Sequence, residues 1–472
     1  MFEPAIAPSG TLLGLLQRGR GDGTLHALAA PRAEALQALY GCVIDDPRHD
    51  WQVENRSLYY ARLCLELDAP VDALADHLFA PDDVLRPDEQ RTGLTLSVLG
   101  HLASYGRDDA LKLLRRYAAA GGCWQWALDE LALRDDDAGL RALAPHVLAR
   151  FPRTPDGERE LAAEMRGAFE PRPWRLWAED PELGARVRAA QEQESFDRWQ
   201  RQLRSRGPRP GWSVAEILDW AQEGLEQYPA QPRHDAAARC LAAVAGPEDR
   251  PELLDAARGP RDGARAAAVA HLAATGDPEA YDLIEAAACA PSETLAAAAL
   301  ATFGRMCSTA ALGTARSWAA REDALGTAAG VMLARRGAAR DARVVRTVLL
   351  RCVRDEGPGA PELCDLVAGA GRLAITSAAP VLRHIYRETG SSHLRGVTAR
   401  ALAATDPSFP ASFAVECLWD CEDTTREIGA RHAETADARV VARLRSLAAD
   451  PAEDGDVQST VRTRITPDGA SG

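Results

Sequence analysis

Four stretches of this sequence hold side chains whose types and spacing could do chemistry. The first, Asp45-Asp46-Pro47-Arg48-His49-Asp50-Trp51, opens a helix that the pattern carries to about Leu67. At 100° per residue, Val53, Tyr60, Cys64 and Leu67 share a core face, while Trp51, Asn55, Leu58, Arg62 and Glu66 lie opposite, with Tyr59 at the border. An indole, an amide, a phenol and a guanidinium turned away from the core make Trp51, Asn55, Tyr59 and Arg62 a candidate contact surface for a partner. The more economical reading packs this face on the first helices of the chain, with Arg62 and Glu66 as an i,i+4 pair. Asp45, Asp46, His49 and Asp50 offer metal-ligand atoms, but their spacing fits no recognised loop. Aspartates beside a proline more often build turns and caps, so no metal is expected.

The second stretch is Gly122-Cys123-Trp124-Gln125-Trp126, followed by Asp129, Glu130 and the run Asp135 to Asp137. Paired carboxylates can exchange protons when burial splits their pKa values, and Trp124 and Trp126 could stack a partner or a ligand. Adjacent helical residues diverge by 100°, however, and indoles also fill seams between helices. The third stretch, residues 198–210, carries five arginines and no acid. Here Arg201 and Arg204 are the candidate contacts for an acidic partner, against the reading of a solvated joint. In the fourth, Cys417 and Cys421 stand at i,i+4 with His432 beyond, a spacing too loose for the four ligands zinc wants. The sequence contains no phosphate loop, no dinucleotide fingerprint, no His-Glu-x-x-His and no nucleophile elbow. Accordingly, no catalytic residue and no cofactor are assigned.

Composition limits the function classes. The 472 residues carry 55 basic and 69 acidic side chains, a net charge of −14, and 46% of them are hydrophobic. That excludes a disordered chain and a globally basic nucleic-acid binder. Lys112 is the only lysine, so arginine supplies the other 54 basic groups and any lysine chemistry has one candidate, on an amphipathic helix beside Arg115 and Arg116. The longest early apolar run, Leu12 to Leu16, is too short for export or for a bilayer. Ten scattered cysteines without a Cys-x-x-Cys pair suit reduced thiols. The expectation is a cytoplasmic protein with a protein partner, no membrane and no nucleic acid.

The elements that must position these groups repeat. Residues 268–284 read AVAHLAATGDPEAYDLI: a helix end, a Gly-Asp-Pro turn and a second apolar helix. Aligned turns at Gly246, Gly276, Gly304, Gly337, Gly371, Asp406 and Ala436 are 30, 28, 33, 34, 35 and 30 residues apart. Glycine ends a helix in the left-handed conformation, the following aspartate caps the next helix, and proline suits its first turn. Weaker copies occur near Ala69, Gly106 and Asp135.

The segment from about 236 to 447 resembles HEAT repeats, specifically the short PBS-lyase HEAT-like kind. That resemblance implies an all-α fold, an α-solenoid of stacked antiparallel helix pairs. Its members include protein-binding scaffolds, phycobilin lyases and, on a related plan, DNA glycosylases, so it names no activity. The expected organisation is an N-terminal helical segment at 1–150, an irregular Trp/Pro/Arg-rich connector at 151–232, a repeat array at 233–449 and a disordered tail at 450–472. The leading expectation is a non-catalytic scaffold or adaptor that binds a protein on its concave face. The alternative is an enzyme using the groove, acting on a small aromatic ligand or on DNA.

Overall fold

The computed structural model describes residues 6–48, 55–191, 211–229 and 231–465. These are helices joined by turns and short 3-10 segments, with no strand among the described residues. Two compact units divide the chain. One collects Met1–Ser205, Arg387–Ala399 and Ser408–Gly472, and the other collects Arg206–Tyr386 and Arg400–Pro407. This differs from a single array over 233–449, because residues 387–399 and 408–449 are grouped with the beginning of the chain.

In the second unit the helices Val214–Gln227, Asp262–Thr275, Glu293–Arg305, Ala324–Arg336 and Leu363–Arg372 pack each on the next. The last four also pack on the helices Arg250–Arg258, Ala280–Ala288, Thr309–Trp318 and Ala342–Glu356 respectively. Alanine makes this close: Asp262–Thr275 buries Ala264, Ala266, Ala267, Ala268, Ala270 and Ala273 along one helix. Of the aligned glycines Gly246, Gly276, Gly304, Gly337 and Gly371, only one has the left-handed backbone that a helix end is expected to need. Gly276 has the expected left-handed backbone, with φ 73°. Gly371 instead lies inside a helix, where an added Cβ would come within 2.8 Å of the Ala401 Cα, so it permits close approach rather than a turn.

One ionic device recurs where helix pairs meet. Arg250 pairs with Asp277, Arg316 with Asp341 and Arg383 with Asp406 in the second unit, and Arg115 with Asp135 in the first. The partners are 27, 25, 23 and 20 residues apart. In each pair the arginine lies on the second helix of one pair, and the aspartate in the turn inside the following pair. The bonding is two-pronged: Arg316 Nε donates to Asp341 Oδ1 at 2.7 Å and its terminal nitrogen to Oδ2 at 3.1 Å. The aspartate side chains are only 1% to 6% exposed. Asp277 and Asp341 also accept from backbone N–H groups in their own turns, so they anchor the turn and the neighbouring pair at once. The bond from Arg316 is the largest cause holding the Asp341 carboxyl below its ordinary value, ahead of the opposing effect of burial.

The first unit joins both ends of the sequence. Cys421 N–H donates to the Gly19 carbonyl at 2.9 Å, and Arg20 reaches Glu416 at 3.1 Å. Arg395 and Asp420 form a pair with no exposed side-chain surface, at 2.7 Å, and Arg395 also donates to the Gly19 carbonyl at 3.3 Å. The tail is a correction to the expected disorder: Gly455–Ile465 is a helix packed on Asp423–His432 and Ala438–Ala449. Its polar composition hides an i,i+4 pair, Val457 and Val461, that is 1% and 0% exposed. Two buried valines and carbonyl bonds from Arg464 to Ala430 and Ala433 hold it.

Arg316→Ala leaves Asp341 buried and unpaired, so the variant is expected to lose about 3 kcal/mol of stability in a denaturant titration. Arg354→Ala, which removes the solvent-facing Arg354–Asp355 pair, should cost no more than about 1 kcal/mol. Equal losses would contradict the clamp as a structural determinant.

Candidate functional site

The helix Arg56–Glu66 does not present a free recognition face. Tyr59 is 4% exposed, and its hydroxyl donates to the Arg20 carbonyl at 2.8 Å. Arg62 pairs with Asp450 at 2.7 Å and Glu453 at 3.1 Å, and its Nε donates to the Tyr105 hydroxyl at 3.3 Å. Tyr59 and Arg62 are therefore corrected from partner contacts to internal ones, and the i,i+4 reading with Glu66 is corrected as well. Residues near the end of the chain cover the face that lay opposite the N-terminal core. Asn55 is exposed at the start of the helix and makes no side-chain cap. Trp51 lies outside the described residues, as do His49 and Asp50. Asp46 Oδ1 accepts from the Arg48 N–H at 3.0 Å, a turn bond of the kind expected beside proline.

Around Arg62 the side chains form a dense ionic seam. Arg426 pairs with Glu453 at 2.7 Å and donates to the Asp420 and Cys421 carbonyls at 2.9 and 2.7 Å. Burial raises the Glu453 carboxyl, but Arg426 and Arg62 more than offset that and hold it below its ordinary value. Arg443 Nε donates to the Leu418 carbonyl at 3.1 Å, and its guanidinium lies 5.5 Å from the Trp419 ring centre. Burial, then the like charges of Arg62 and Arg426, lower its pKa to about 10. An open cleft of about 270 Å³ runs past Arg62, Glu66, Tyr105, Arg443 and Asp450. Its ionic groups are largely engaged with one another, so the seam does structural work and offers no nucleophile.

The tryptophan pair divides similarly. Trp124 is 6% exposed, edge-on to Phe151 at 6.0 Å with the Arg150 guanidinium 5.4 Å from its ring, which corrects it from a contact to a core residue. Trp126 is half-buried, and its Nε1 donates to Ser97 Oγ at 3.1 Å, which donates to Glu130 at 2.8 Å. Asp129 instead accepts from the Glu170 N–H at 3.1 Å. Burial raises both carboxyls, but they face different neighbours and make no acid–base dyad. Arg201 and Arg204 lie outside the described residues. Cys417 and Cys421 are 0% and 1% exposed, while His432 meets Phe409 edge-on with ring centres 6.1 Å apart.

Motif searching missed a groove of about 680 Å³ in the second unit, between the ends of two successive helix pairs. Ala270, Ala273, Ala274 and Met306 form its apolar floor, and Tyr281 and Arg305 stand at its edge. Tyr281 Oη lies 3.2 Å from Ser308 Oγ, where the two adjoining junctions place the Arg–Asp clamp. Arg305 pairs with Asp235 at 2.9 Å. Small residues at the turn ends are the only sequence signal for this hollow, and they read equally well as helix composition.

Two outcomes test the seam. Glu453→Gln leaves Arg62 and Arg426 without their shared carboxylate and is expected to cost about 3 kcal/mol in denaturant, although the residue lies in a stretch that reads as tail. Burial, followed by Arg134 and Arg62, lowers His101 from its ordinary 6.5 to about 4. Between those values the unfolded chain binds a proton that the folded chain does not, so stability falls as pH drops through that window. His101→Gln should flatten that part of a melting-temperature profile, and an unchanged slope would remove His101 as its cause. Compared with known proteins, the chain matches no family model and no curated protein.

Proposed function

We propose that the chain is a HEAT-like α-solenoid in the cytoplasm, a non-catalytic scaffold or adaptor that binds a protein partner. The observation that carries this reading is the apolar groove between successive helix pairs, lined by Ala270, Ala273, Ala274 and Met306 with Tyr281 and Arg305 at its edge. A floor of alanines admits an apolar side chain or helix edge from a partner, and an aromatic with an arginine at the rim resembles the anchors that dominate protein interfaces. The clamp that recurs at every second junction between helix pairs supports the solenoid part of the proposal, because a repeat array reuses its junction geometry. Free cysteines suit a reducing compartment. None of the described helices is long and apolar enough to cross a membrane. On this reading the contact surface moves from Trp51, Asn55, Tyr59 and Arg62 to the groove.

The test uses Ala274→Arg, at an exposed position on the groove floor, which adds bulk and charge without disturbing the core. Immobilised wild-type protein is expected to retain a specific protein from native lysate, and the variant to lose at least about tenfold of that retention while melting at the same temperature. Equal retention by both would move the interface elsewhere. No specific retention by folded wild-type protein would refute the scaffold reading.

A further inference from the structure

The helix Ala342–Glu356 ends in a place unlike the other junctions. Cys352 and Glu356 lie at i,i+4 on that helix, and therefore on one face. The chain turns at Gly357, with φ 86°, and Glu362 begins the helix Leu363–Arg372. This turn brings the Cys352 Sγ and one oxygen of each glutamate within 4.8 Å of one another. The three side chains line an open groove of about 370 Å³ that Glu322 and Asp355 also border.

Three observations point to a cation rather than to an ordinary acidic surface. Glu362 Oε2 is shut off from solvent and has no hydrogen-bond donor among the described residues. A carboxylate oxygen in that state is costly. The Cys352 thiol is 2% exposed and faces the groove, with no bonding partner among the described residues. Finally, neither Glu356 nor Glu362 forms an ion pair with any described arginine, in a protein whose buried aspartates at the helix-pair turns are paired with one. Arg351, which also lines the groove, donates to the Arg321 carbonyl and to Thr327 Oγ1.

We propose that Cys352, Glu356 and Glu362 bind a divalent cation of the zinc class, with water from the groove completing its coordination. One thiolate and two carboxylates at this spacing need only small side-chain rotations to reach the metal–sulfur distance of about 2.3 Å and metal–oxygen distances of about 2.1 Å. The sulfur selects zinc or cobalt over magnesium and calcium, which prefer oxygen alone. On binding, the Cys352 S–H bond breaks, the proton leaves to solvent and the sulfur pair bonds the metal. The bound ion would tie the end of one helix to the start of the next while keeping an open position toward the groove.

Titration of the full chain with cobalt(II) tests this, because thiolate coordination produces a sulfur-to-cobalt absorption band. One equivalent should give the band, zinc should abolish it, and zinc should raise the melting temperature. Cys352→Ser, nearly isosteric, should lose the band with its circular dichroism unchanged. Glu362→Gln, a half-buried position that leaves the helix intact, should weaken cobalt binding by at least about tenfold. A band that persists unchanged in Cys352→Ser assigns the cobalt to other thiols and overturns the site. Absence of any band in the wild-type protein overturns it equally.

Discussion

The two-pronged bond between an arginine and a buried aspartate is the interaction on which the rest of this architecture leans. Alanine-rich helices bury little area per residue, so apolar burial alone gives a shallow preference for one register over another. A guanidinium fork meeting a carboxylate in a nearly dry turn is directional and tolerates little displacement. Arg250–Asp277, Arg316–Asp341 and Arg383–Asp406 place that bond at every second junction between helix pairs of the second unit. Each aspartate that also anchors its own turn links local geometry to the neighbour. The near absence of lysine, which reads as a composition bias, is thus compatible with a fold that uses the planar fork repeatedly.

Much of the helical pattern was legible because it is local. The Gly276-Asp277-Pro278 turn is visible in residue types alone, and the aspartates at 277 and 406 stand out as turn residues. Their arginine partners, 27 and 23 residues earlier, were not, since one arginine among 54 carries no mark of its partner. Gly371 differs again: its spacing reads as a turn, yet space for Ala401 rather than left-handed backbone requires it.

The contact surface failed to be legible for a different reason. Helical periodicity separates the two faces of Arg56–Glu66 correctly but cannot say that the second face is also covered. Tyr59 and Arg62 meet Arg20, Asp450 and Glu453, and the last two lie almost 400 residues further along. No window of the sequence contains both sides of that seam. The alanine-floored groove was hidden in the opposite way, since it is made by what is missing from the side chains and leaves no motif.

The union of both chain ends in one unit sets an order of events during synthesis. Arg20 and Glu416 are separated by 396 residues, so at about 5–20 residues per second a ribosome needs roughly 20–80 s to deliver the second after the first. For that interval Arg62 lacks Asp450 and Glu453, and Arg20 has Asp22 beside it but not Glu416. That face of the N-terminal helices therefore carries guanidinium groups whose distant carboxylate partners are made last.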